Sequence, residues 1–135
     1  MKRSLSFIIL GLMFLLSCDK YNIQLDKNYV EMDFRAQKFV IYADRKITGI
    51  EFDLTEEYDL KREDHRKEYC VEGTHWRTEC GWIKADIDYS DPYHFTVTLD
   101  ENASSKNRKA LVYADRLAGS DTLFVMQKGC PVPRE

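Results

Sequence analysis

The sequence predicts an all-β fold, a sandwich of about seven antiparallel strands. Two observations lead there. Short apolar runs alternate with polar residues at a period of two, and turn-forming residues fall between them. A third is negative: no segment carries the apolar stripe of an amphipathic helix. Many short, half-buried strands at regular spacing argue for two packed sheets.

The strands follow in order. "YVEMDF" places Val30, Met32 and Phe34 on one face. "KFVIYA" is short and nearly continuous. "ITGIEFDL" places Ile50, Phe52 and Leu54 on one face, and "GWIKADI" opens with β-formers. "YHFTVTL" directs Phe95, Val97 and Leu99 inward and leaves His94, Thr96 and Thr98 outside. "RKALVYA" and "DTLFVMQ" complete the set. "DRKITG", "SDP", "DENASSKN" and "DRLAGSD" supply the turns. The tetrapeptide "YADR" occurs twice, at the ends of "VIYADR" and "LVYADR". Each copy closes an apolar run and precedes a turn, so both read as structural strand-to-turn corners rather than as a repeated catalytic motif.

Thr55 to Glu79, "TEEYDLKREDHRKEYCVEGTHWRTE", breaks this rhythm. It reads as a charged, solvated insertion, with helix-favouring residues in "EEYDLKREDHRKEY" but no apolar stripe to dock them. Cys70 and Cys80 enclose nine residues near its end and predict a disulfide, in which case Cys130 is left over. So short a loop contributes ~2–3 kcal/mol. Pairing of Cys80 with Cys130 is the alternative, because spacing does not fix connectivity. Cys70, His75 and Cys80 lack the tight spacing of zinc ligands, and no metal or other cofactor is expected.

The N-terminus places the chain. Lys2 and Arg3 precede an uncharged apolar run from Phe7 to Leu16, the layout of a secretory signal. The following "LLSC" resembles the bacterial lipobox. The resemblance implies cleavage after residue 17, lipidation of Cys18 and anchoring in the cell envelope, in the outer membrane. Asp19 and Lys20 leave the periplasmic and outward faces both open. Several acyl chains, at ~0.8 kcal/mol per buried methylene, hold a protein stably in a membrane. The organisation expected is a signal peptide (1–17), a lipid-anchored tether (18–27), one domain (28–130) with its insertion at 55–79, and a tail (131–135). Losing Lys2 and Arg3 takes the formal net charge from −3 to −5. That acidity excludes nucleic acid as a partner, which demands clustered positive charge.

From Gly81 onward the chain resembles BACON domains, immunoglobulin-like modules of exported Bacteroidetes proteins. The residues that carry the resemblance are Trp82, Asn102, Arg108 with Ala110, and the closing "VMQKG" with Val125, Gln127 and Gly129. The resemblance covers about 50 residues and implies an immunoglobulin-like sandwich with a carbohydrate- or mucin-binding role. Trp82 then reads as a core anchor, Asn102 as a turn or cap residue, and Gly129 as the release of the last strand.

Exposed rings flanked by polar groups are what a glycan site needs. Trp76, His75, Arg77 and Tyr69 in the insertion, with Tyr93 and His94 at a strand start, are the candidates. Trp76 is the sharpest, having no apolar neighbour in "EGTHWRTE". The same Trp, Tyr and Arg could instead form a protein-binding hot spot, with Cys130 available for an intermolecular bond to an envelope partner. Catalysis is not expected. The acidic cluster alternates with Lys and Arg. His65, His75 and His94 have no nucleophile setting, and no Gly-rich phosphate loop exists.

Overall fold

A computed structural model of the protein describes residues 22–54, 66–117 and 119–132. The signal peptide, Cys18 and the first part of the insertion lie outside the described residues. Nine strands form among the described residues: β1 (Tyr29–Met32), β2 (Gln37–Tyr42), β3 (Gly49–Leu54), β4 (Arg66–Glu72), β5 (His75–Cys80), β6 (Ile83–Asp88), β7 (His94–Leu99), β8 (Arg108–Arg116) and β9 (Gly119–Gln127). They make a four-stranded sheet, β1-β9-β8-β3, and a five-stranded sheet, β2-β7-β6-β5-β4, packed as a sandwich. The described residues are all-β, as the sequence predicts.

The alternation sets the core. Ile41, Ile83, Phe95, Val97 and Leu99 from one sheet meet Ile50, Val112, Leu123 and Val125 from the other, and all are buried. Burying each such side chain contributes ~1.5–3 kcal/mol. Ile50, Phe52 and Leu54 share the core face of β3 as expected, with Phe52 only partly buried.

Four expectations need correction. The strands number nine, because Arg66–Cys80 is a β-hairpin rather than a charged loop, and residues 66–69 are strand rather than helix. Its turn uses Gly73 at φ 56°, in the left-handed region that favours glycine. Sequence alternation cannot reveal β4, since all seven of its residues are exposed. One strand pair is parallel: β1 runs beside β9 in register from Tyr29↔Phe124 to Met32↔Gln127. The tether is shorter than expected. Ile23 and Leu25 are buried in the core, and Leu25 bridges to Ala43, so the packed domain begins at residue 23. Asp121 fastens this entry by accepting hydrogen bonds from Leu25 N and Asn28 Nδ2.

The fourth correction concerns sulfur. Cys70, Cys80 and Cys130 are free. In the hairpin Cys70 pairs with Trp76, whereas Cys80 pairs with Arg66. The two cysteines are thus four residues apart along the strands, ~13 Å at the usual strand rise. A disulfide needs Cα atoms within about 7 Å. Cys80 is buried, and that burial raises its thiol pKa. Cys130 is buried also, its Sγ 3.0 Å from Val132 O, which removes it as an accessible link to a partner.

The residues that carry the family resemblance converge at one end of the sandwich. Buried Trp82 lies under the Arg108 guanidinium, 4.4 Å from ring centroid to Cζ. Arg108 Nε donates to Gln127 Oε1 at 2.8 Å. Gln127 Nε2 donates to the carbonyls of Arg35 and Asp100. Asn102, also buried, donates to the carbonyls of Lys106 and Lys128 and accepts from Ser104 N. Buried polar side chains are tolerated when fully paired, and these two close the loops around the end of β9. Asn102 therefore acts as a backbone cap. Gly129 is required by close approach, not by release of the strand: a Cβ there would lie 2.1 Å from Ser105 O.

Candidate functional site

Alternation on the five-stranded sheet sends one residue in two outward, and register aligns these residues into rows. Tyr42, His94, Asp88 and His75 follow one row, through the pairs Tyr42↔His94 and His75↔Asp88. The next row runs Val40, Thr96, Asp86, Arg77 and Tyr69, and the third runs Lys38, Thr98, Lys84, Glu79 and Lys67. An open depression of about 400 Å³ lies on this face. Its lining includes Lys38, His75, Arg77, Asp86, His94 and Thr96.

Asp86 organises the centre. Its Oδ1 accepts from Arg77 Nε at 2.8 Å and lies 3.0 Å from His75 Nε2. Asp86, and secondarily Tyr69, raise the Arg77 pKa further above its ordinary value, so the guanidinium is fixed in charge and in position. The Tyr69 hydroxyl also reaches Glu79 Oε2 at 3.3 Å. At one edge the Tyr42 and His94 rings sit 5.8 Å apart, and Tyr42 is 57% exposed.

Asp88 pins the rim. Its Oδ1 accepts from Thr74 Oγ1, and from Ser90 N and Oγ. The Thr74 bond first and the Ser90 bonds next lower its pKa to about 2. A depressed carboxylate supports the fold above its ordinary pKa near 4 and loses that support as pH falls through about 2. The turn that follows β6 and the β4–β5 turn are therefore held together throughout the neutral range.

Four of the six sequence-predicted residues share this face: Tyr69, His75, Arg77 and His94. Trp76 does not. It sits on the opposite side of β5, between Cys70 and Ile87 in register, and is 37% exposed. A strand reverses direction of its side chains at every step, so neighbours in sequence cannot share a face. The same parity sets His75 and Cys80 on opposite faces, so they cannot hold one metal ion. Tyr93 precedes β7 and lines a separate depression with Asp44, Arg45, Lys46 and Arg116. Sequence reasoning missed Tyr42, Lys38, Thr96, Thr98 and Asp86. For Thr96, Thr98 and Asp86 the signal was present, since they lie at polar positions of alternating strands, whereas the nearly continuous apolar run of β2 hides the outward face that carries Lys38 and Tyr42.

No family model and no curated protein matches the chain. Among solved structures, the fold resembles the NMR structure of a protein from Bacteroides thetaiotaomicron. The likeness has a TM-score of 0.51 at 12% identity and covers 81% of this chain and 88% of that one. At that identity the likeness shows the fold alone: a β-sandwich shared with a Bacteroides protein.

Proposed function

We propose that this protein is a non-enzymatic binding lipoprotein of the cell envelope. It is anchored through Cys18, built on a BACON-like domain, and captures glycans on the outward face of its five-stranded sheet. The observation that carries the reading is that face. Exposed rings at Tyr42 and Tyr69 and the half-buried ring of His94 flank a fixed Arg77–Asp86–His75 cluster with threonines beside it. Rings offer apolar surface to the flat faces of sugars, while fixed polar groups pair with hydroxyls. The convergence of Trp82, Asn102, Arg108, Gln127 and Gly129 on one hydrogen-bonded end supports the family resemblance.

The test is titration of the mature chain against a panel of mucin, host and plant glycans. A ligand is expected whose affinity falls at least tenfold in Arg77→Ala and in Tyr42→Ala/His94→Ala, and stays unchanged in Trp76→Ala. Equal binding by the sheet-face variants would sink the site. Anchoring has its own check: the mass of the protein purified from native membranes should exceed that of residues 18–135 by the acyl groups on Cys18. A mass equal to the bare polypeptide rejects it.

A second reading, an interaction subunit of an envelope complex, draws support from the other sheet. Tyr29 and Phe124 stack there at 5.5 Å on the outer face, with Leu111, Tyr113 and Met126 half-buried around them. Clean failure across the glycan panel, with crosslinking to an envelope protein through that face, favours this reading instead.

A further inference from the structure

The two "YADR" corners, 71 residues apart in the chain, meet at one end of the sandwich. Arg45 and Lys46 from the first copy and its following residue, and Arg116 from the second, line a depression of about 370 Å³ with Tyr93 and Asp44. Its frame is laced by backbone bonds. Ala43 N and Ile47 N donate to the carbonyls of Tyr93 and Pro92, and Thr48 N donates to Asp115 O at 2.7 Å. The Arg116 guanidinium donates to Lys46 O at 3.2 Å, which ties the two corners together. Asp44, the one carboxylate among the described residues of the lining, accepts from Gln24 N at 2.7 Å. Among the described residues three cations thus converge with one engaged anion, on a domain whose overall charge is negative.

We infer that this corner binds an anionic group, a sulfate ester or carboxylate, carried by an acidic glycan. The inference rests on the glycan-binding reading for its ligand class. Two observations link the corner to the sheet face. Tyr93, in the corner, directly precedes His94, on the face. Tyr42, whose ring is tilted against that of His94, runs directly into Ala43, Asp44 and Arg45. A sugar chain lying over Tyr42 and His94 therefore continues onto Arg45, Lys46 and Arg116. Guanidinium and ammonium groups pair with such oxyanions through charge-assisted hydrogen bonds.

The test uses the mature chain with chondroitin sulfate and with the same polymer desulfated and carboxyl-reduced, titrated at low and at moderate salt. The acidic polymer is expected to bind about tenfold more tightly than the neutral one, with the difference shrinking as salt rises. Arg45→Ala/Lys46→Ala, at two exposed positions, is expected to abolish that difference while leaving the affinity for the neutral polymer unchanged. Tyr42→Ala/His94→Ala is expected to weaken both. Equal affinity for the two polymers overturns the anion site and leaves the glycan reading standing. A preference for the acidic polymer that survives Arg45→Ala/Lys46→Ala also overturns the site. Binding of neither polymer by a folded protein overturns this inference, and only failure across the whole glycan panel removes the glycan reading with it.

Discussion

Gly129→Ala is expected to destabilise the domain by ~4 kcal/mol, among the largest losses a single methyl can cause. The added Cβ would lie 2.1 Å from Ser105 O, 2.3 Å from Ser105 C and 2.8 Å from Lys106 N. All three are backbone atoms, so no side chain can swing away. The loop that must move is fastened on both sides of the clash. Cys130 N donates to Ser104 O, Ser104 N donates to Asn102 Oδ1, and Asn102 Nδ2 holds Lys106 O. Displacing the loop breaks these bonds together and exposes buried Asn102. Urea denaturation should show a lower midpoint with an unchanged slope, and the melting temperature should fall by about 10–20 °C. A loss below about 1 kcal/mol would mean that residues 104–106 yield freely.

Gln127→Leu comes second, at ~3 kcal/mol. The change keeps volume and apolar contact but removes three hydrogen bonds from a side chain with no solvent exposure. Arg35 O keeps its bond from Gln37 Nε2 and Asp100 O keeps its bond from Arg108 Nη2, while the three bonds of the Gln127 amide to Arg35 O, Asp100 O and Arg108 Nε are lost together. A hydrogen bond contributes ~0.5–1.5 kcal/mol net, and more when one partner is charged as Arg108 is, so three lost together sum to ~3 kcal/mol. Loosening Arg108 should also disturb its stack on Trp82, which indole fluorescence can report. Stability equal to the parent would show that water enters this end and satisfies the freed groups.

Much of this was legible in the sequence, and the misses have physical causes. Seven strands were readable because each lays one face on a common core, which period-two apolarity records. Phe95, Val97 and Leu99 are the clearest instance. β4 was illegible for the converse reason: no residue in it is buried, so its composition resembles that of a solvated helix or loop. It is a strand because β5 offers it a free edge for backbone hydrogen bonds, and backbone pairing leaves no signature in side-chain hydropathy. Its charges and the irregularity between Cys70 and Glu72 also discourage a further strand from adding. The disulfide was misjudged through the same hairpin. Spacing along the chain says two cysteines can meet, whereas the register of an antiparallel pair decides whether they do.

The candidate site divides in the same way. The sequence by itself determined the fold class, the inward and outward faces of most strands, and the residue types available for binding. Tyr69, His75, Arg77 and His94 could be named from it. Only the tertiary structure decided which of them share a surface. His75 and Arg77 fall together and Trp76 falls away because a strand alternates its faces. Tyr42 joins His94 because β2 pairs with β7, and Arg45 meets Arg116 because two turns of different sheets close the same end. Alternation is a local rule that each strand carries in its own residues. Adjacency between strands arises from pairing over tens of residues, which no single stretch of the sequence encodes.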